Sequence, residues 1–231
     1  MASGDQRIIL DEGLAVRLRR SGRARRMTLR VPRDGSGPVL TLPPHVPLSE
    51  GRDFAQSRRD WLQAAMGRVP ERRVAALGAA LPVEGRALIL TPAPVRRVTP
   101  EAHALLIPEG WPAGTVAAAW LRQLAMTRLR AACDRHAARL GRPYRAIVLR
   151  DTRSRWGSCT HDGRLMFSWR LIMAPPPVLD YVAAHEVAHL AHMDHSPRFW
   201  AQVAALMPDH APHRAWLRAQ GGDLMLWRFG D

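Results

Sequence analysis

The sequence predicts an α+β fold: a basic, β-rich N-terminal part with one helix over residues 1–112, followed by a more helical part over residues 113–231. Three observations carry that expectation. Short alternating apolar runs punctuated by Gly and Pro dominate as far as Gly110–Gly114; beyond that seam apolar residues recur three and four apart; and 47% hydrophobic residues in 231 suffice for one good core or two small ones.

In the first part, Met27, Leu29 and Val31 alternate with Thr28 and Arg30, and Val39, Thr41 and Leu42 follow the Asp34-Gly35-Ser36-Gly37 turn, which predicts a hairpin. Ser49 is the expected N-cap of a helix carrying Phe54, Trp61, Leu62 and Met66 inward and stopping before Pro70. Residues 79–107 hold further strands, around Leu88–Leu90 and Leu105–Ile107, with Glu84-Gly85 as a turn. After the seam a long helix runs from about Thr115 to Leu140, through Leu121, Ala125, Leu129, Ala132 and His136, and Gly141 is its stop. His136 on that stripe reads as a core histidine with a satisfied hydrogen bond. Strands are expected at 146–149, at 153–159 and, returning antiparallel after His161-Asp162-Gly163, at 165–169. The prolines 175–177 open the next helix, whose first turn needs no amide donor.

Composition excludes disorder, a collagen repeat and a disulfide scaffold, since the two cysteines, Cys133 and Cys159, form no Cys-x-x-Cys pair and read as reduced thiols. No apolar run is long enough for a membrane span, and the N-terminus lacks the order of a secretory signal, so a cytoplasmic location is expected. The formal net charge of +14 points to nucleic acid or another acidic partner, yet all 34 basic residues are arginine, which also fits a genome-wide codon bias. Nothing in the sequence specifies an oligomer.

The helix opened by those prolines carries an apolar face of Val178, Leu179, Val182, Ala183, Val187 and Leu190, and on another face His185, Glu186 and His189. Two histidines four apart project from adjacent turns of one face, so their ring nitrogens can converge on one ion, zinc being the metal they suit. The intervening Glu186 is rotated by about 100°, out of the ligand shell but within reach of an activated water as general base. A catalytic zinc needs a third protein ligand, and Glu186 is the last glutamate of the chain, leaving Asp or His. His192 has the helical phase but rises past the ion, which makes it a flanking group. His195 can reach only if the helix ends near Met193-Asp194, with Asp194 in a left-handed turn; Ser196-Pro197 then caps and opens a new helix through Phe199, Trp200, Val203 and Met207. On geometry and ligand preference His195 ranks ahead of Asp194, Asp209, His210 and His213.

These residues also carry a resemblance. Arg153-Ser-Arg-Trp156-Gly-Ser-Cys159, Trp169-Arg-Leu-Ile172, Tyr181-Val182 leading into His185-Glu186-x-x-His189, and His195-Ser196-Pro-Arg-Phe199-Trp200 ending at Met207-Pro208 resemble the YgjP-like zinc metallopeptidases, related to the SprT proteins. The match is dense from about 145 to 218 and looser upstream. It implies a zincin-like catalytic half with zinc on His185, His189 and His195 and Glu186 catalytic, acting on a protein or peptide substrate. Asp194 stands where the pattern has asparagine, a residue that favours the same turn, and no Cys-x-x-Cys tail of the kind that would extend the SprT analogy is present.

The expected activity is therefore zinc-dependent peptide hydrolysis, with Arg155, Trp156 and Ser158 as candidate substrate-binding residues on an open strand edge. The competing reading is a basic nucleic-acid-binding module with a structural or vestigial zinc site, supported by Arg17, Arg19, Arg20, Arg23, Arg25, Arg26 and Arg30; a protease recruited to nucleic-acid-bound proteins would combine the two.

Overall fold

The computed structural model describes residues 6–32, 35–68, 71–152 and 154–230. They form two compact units, Met1–Arg72 and Arg73–Asp231.

In the first unit, strands β1 (Arg7–Ile9), β2 (Ala15–Arg20), β3 (Thr28–Arg30) and β4 (Val39–Leu42) make a sheet of order β1-β2-β4-β3, in which β2 and β4 are parallel. The β3–β4 pair is the expected hairpin; Asp34 of its turn lies outside the described residues. One face buries Ile8, Val16, Leu18, Leu40 and Leu42 with Ala55 and Leu62. The register sets Arg7, Arg17, Val39 and Arg30 in a row on the other face, with Arg19 beside Thr41 and Thr28.

The expected single helix is two, α1 (Leu48–Gln56) and α2 (Arg59–Gly67), broken at Ser57-Arg58, where the Ser57 hydroxyl bonds back to the Phe54 carbonyl at 2.8 Å. Helix α1 starts before Ser49: Pro47 holds the capping position, and Ser49 lies in the first turn. Trp61, expected inward, is 50% exposed, because the break rotates α2 so that Leu62 takes the buried place. Pro70 lies outside the described residues.

The second unit contains β5 (Arg73–Val74), β6 (Ala80–Val83), β7 (Arg86–Ala93), β8 (Thr99–Pro100), β9 (Ala104–Pro108), α3 (Ala113–Leu140), β10 (Ala146–Arg150), β11 (Gly157–Cys159), β12 (Arg164–Ser168), a 3₁₀ turn (Trp169–Met173), α4 (Pro176–Ala188), α5 (Pro197–Leu206), α6 (His210–Leu224) and β13 (Trp227–Arg228). Its sheets run β6-β7-β9-β8, β10-β12-β11 and β13-β5. Strands β6 to β9 bury Leu81, Val83, Leu88, Leu90, Leu105 and Ile107 in the same core as α3 and α4, so the division by packing falls at 72/73, ahead of the seam at 112/113. The strand expected over 153–159 is reduced to β11, and Arg153 lies outside the described residues.

Helix α3 ends at Gly141 in the left-handed conformation (φ 71°), as a residue without Cβ allows. Its buried stripe contains Ala117, Ala118, Ala125 and Ala132, small side chains that let α4 pack closely. His136 is buried, with Nε2 3.0 Å from Asp180 Oδ1 of α4, and Arg135 donates to the same carboxylate at 2.9 Å. Helix α4 has no polar side: Val178, Leu179, Tyr181 to Ala184 and Glu186 to Ala188 are all buried, the pattern of a central helix.

Arg170, which composition alone would place on the surface, is 8% exposed. Its Nη1 donates to the carbonyls of Leu224 (3.0 Å) and Trp227 (2.9 Å), its Nε to Asp151 (2.6 Å), and its guanidinium lies 4.9 Å from the Trp169 ring centroid. It thereby ties the chain end after α6 to the segment that feeds α4. Arg170→Ala is expected to cost about 2–4 kcal/mol, because two carbonyls and Asp151 lose their donor; urea denaturation beside the wild type measures it.

Candidate metal and catalytic site

Helical geometry brings His185 and His189 together, with ring centroids 5.0 Å apart. Regular helix ends at Ala188, a turn earlier than expected, but His189 keeps helical dihedrals (φ −63°, ψ −19°) and so its place above His185. The chain then tightens, with Leu190 bonded to the Val187 carbonyl and Ala191 to that of Ala188. The corner that follows is not the left-handed one expected at Asp194: among the described residues Glu84 alone of the non-glycines has positive φ. The Asp194 carboxylate accepts instead from the Ser196 amide at 3.4 Å, and those Ser196 bonds hold its pKa below the ordinary carboxylate range. Ser196 in turn accepts from Phe199 N at 3.5 Å and starts α5, as its sequence predicts.

The corner returns His195 over the helix. Its Nε2 lies 3.2 Å from His185 Nε2, and its ring centroid lies 4.9 Å from that of His189. One ligand atom from each of the three histidines falls within 4.8 Å of the others, and among the described residues no other group of His, Cys, Asp and Glu is so placed. Of the alternatives, His213 faces Asp209 at 3.4 Å, and His210 contacts the Met207 carbonyl at 3.2 Å. His192 flanks the cluster through its backbone: its carbonyl lies 2.9 Å from His189 Nδ1.

The donor set fits a tetrahedral metal ion. Zinc–nitrogen distances of about 2.0–2.1 Å put ligand nitrogens about 3.3 Å apart, near the 3.2 Å between His185 and His195. Nδ1–H of His189 donates to a carbonyl, which leaves Nε2 as a lone-pair donor. Burial, then the neighbouring His189 and His195, pulls the His185 pKa down to about 3, and burial lowers that of His189, so both rings are neutral, the form that ligates. Phe199, fully buried, stacks on His189 (4.4 Å, 26°) and meets His185 and His195 edge-on, each at 4.9 Å. It holds all three rings from beneath, a role its periodic place on α5 did not disclose.

The Glu186 side chain packs against Gly157 of β11 and is 4% exposed. Its Oε2 is buried with no hydrogen-bond partner, and burial raises its pKa to about 8 against the opposing charge of Arg155. A buried carboxyl with raised pKa and open lone pairs is suited to exchanging protons near neutrality.

The substrate-binding candidates separate. Arg155 is exposed, its carbonyl held by the Thr152 hydroxyl at 2.7 Å. Trp156 is half-buried and packs toward Gly221 of α6. Ser158 sits between Gly157 and Cys159 on β11, so alternation turns its side chain to the face opposite Glu186. Strand β11 is an edge of its sheet. Cys159 is a half-buried free thiol and Cys133 a buried one. Sequence reasoning passed over Gly157, against which the Glu186 side chain packs; its place one residue after Trp156 in the quoted motif was the available signal.

Three imidazoles converge on one point that could hold a metal ion, beside a buried glutamate on an α+β scaffold. The model of the YgjP-like family, metallopeptidase domain, matches residues 25–220, and the chain belongs to that family. Among curated proteins none matches. Among solved structures the chain is similar to the metallopeptidase zymogen abylysin of Pyrococcus abyssi, with 18% identity and a TM-score of 0.36 over 40% of this chain and 95% of that one, a likeness too slight to carry an argument.

Phe199→Leu is expected to fold and to weaken metal binding by about 10–100-fold, since the rings lose their common platform; competition with a chromogenic chelator reads it.

Proposed function

We propose that the protein is a zinc-dependent peptidase in which His185, His189 and His195 hold the ion and Glu186 is the general base. The observation that carries this reading is the burial of the Glu186 carboxyl, with Oε2 unpartnered, on the helical turn that presents the histidine cluster. Zinc on three imidazoles supplies Lewis acidity, which acidifies water and polarises a peptide carbonyl. Glu186 takes a proton from the attacking water as its oxygen bonds the carbonyl carbon, and returns it to the amide nitrogen as the C–N bond breaks. Phe199, buried beneath the three histidines, keeps bulk water from that side.

The catalytic part on this reading runs from about residue 113, and the substrate is a protein or peptide. The open edge of β11 offers backbone groups to which an extended peptide can add, with Arg155, Trp156 and Ser158 along it. No helix among the described residues is long and apolar enough to cross a membrane, and the proposed location is the cytoplasm.

Zinc content and casein hydrolysis of wild type, His195→Ala and Glu186→Gln test the assignment together. One zinc per chain in wild type, a sharp loss in His195→Ala, and full zinc with hydrolysis reduced at least about 100-fold in Glu186→Gln are the expected results. Zinc retained by His195→Ala would sink that ligand, and unchanged hydrolysis in Glu186→Gln would sink the base.

A second, compatible reading rests on the outward face of the N-terminal sheet, where the register gathers Arg7, Arg17, Arg19 and Arg30. Residues 1–72 hold 14 arginines against eight acidic residues, a denser positive charge than the remainder carries. Such a face suits the phosphates of nucleic acid. Binding of a fluorescent oligonucleotide should fall steeply with added salt and weaken in Arg19→Glu/Arg30→Glu, while a chelator leaves it intact; salt-insensitive binding would dismiss this reading.

A further inference from the structure

Several glycines of this chain answer to backbone conformation: Gly85, Gly141 and Gly163 all have positive φ. Gly157 does not, since its φ lies in the range that any residue adopts, and it sits in regular strand paired with Phe167. What sets it apart is what lies in front of it. A Cβ at this position would come within 2.6 Å of Glu186 Cγ and 2.7 Å of Cδ, closer still to Oε1, and these are the three nearest atoms it would meet. The side chain forbidden at 157 is forbidden by the Glu186 carboxylate.

The contact has a second aspect. Glu186 is buried, yet no hydrogen bond to its side chain is present among the described residues, and Oε2 is enclosed without a partner. Carboxylates in active sites are commonly oriented by donors, which also occupy their lone pairs and lower their basicity. Here orientation comes from a wall. The flat backbone of β11 at Gly157 closes one side of the carboxylate, so the side chain is confined while its lone pairs stay open.

We infer that Gly157 is a positioning residue for Glu186: the missing side chain lets strand β11 act as a backstop that holds the carboxylate at its working place by shape alone. This rests on the proposed role of Glu186 as base. An alanine at 157 can be admitted only by displacing that carboxylate or by moving the strand, and a flexible side chain gives way before a paired strand does.

The test is Gly157→Ala, alone and combined with Glu186→Ala. The zinc-loaded single variant is expected to keep its metal and its KM within about twofold while kcat falls on the order of a hundredfold, as a displacement of about 1 Å at a reacting group does. Its crystal structure should show the carboxylate moved away from β11 with the strand in place. A folded, zinc-loaded Gly157→Ala with wild-type kcat, or with the carboxylate unmoved, overturns the inference. Should the single variant fail to fold, Gly157→Ala/Glu186→Ala decides: recovery of the folded state supports the collision with Glu186, and persistent unfolding overturns it. Absence of hydrolysis in zinc-loaded wild type would instead defeat the peptidase reading, and the position of the carboxylate in the Gly157→Ala crystal would still settle whether Gly157 places it.

Discussion

The burial of α4 on most of its surface beyond the first turn is the constraint on which the C-terminal unit depends. A central helix gains its stability from apolar neighbours, yet this one also carries His185 and Glu186, each with a polar atom enclosed without a partner: Nδ1 of His185 and Oε2 of Glu186. The protein tolerates this because the groups remain in forms that burial favours. The imidazole is neutral, its pKa pushed to about 3, and the carboxyl is raised to about 8. The neutral imidazole keeps a lone pair free, and the carboxyl can exchange its proton near neutrality.

The elements around α4 follow from that demand. Helix α3 packs behind it with alanines at the crossing and supplies Arg135 and His136 as partners of the Asp180 carboxylate. Helix α5 cannot continue α4, because His195 must come back over His185, so the chain spends Asp194 and Ser196 on a corner held by side-chain oxygens. Phe199 then falls beneath all three rings as a consequence of where α5 begins. Strand β11 closes the remaining side at Gly157, and Arg170 fastens the end of α6 and the strand beyond it to the turn from which α4 emerges.

Much of this was legible before any coordinates. The stop at Gly141, the proline-opened helix and the cap at Ser196 are local events, governed by residues within a turn or two of one another, and His136 is buried as its stripe predicts, with Nε2 paired to Asp180 and Nδ1 left without a partner. Where local rules offered two solutions, the sequence was a poorer guide. Asp194 suits either a left-handed turn or a bond from its carboxylate to a following amide, and the latter occurs. The stripe from Phe54 to Met66 suits one helix or two, and the break at Ser57-Arg58 leaves Trp61 exposed.

The sequence by itself determined the element types, the His-Glu-x-x-His face and the requirement for a corner before His195, because each follows from helical periodicity and chain connectivity. Tertiary structure alone decided that strands 73–108 share the core of α3 and α4, that Arg170 is buried against Asp151 and two distant carbonyls, and that Gly157 faces Glu186. Those contacts join residues far apart in the chain. No periodicity encodes them, since they depend on which surfaces meet when the core closes.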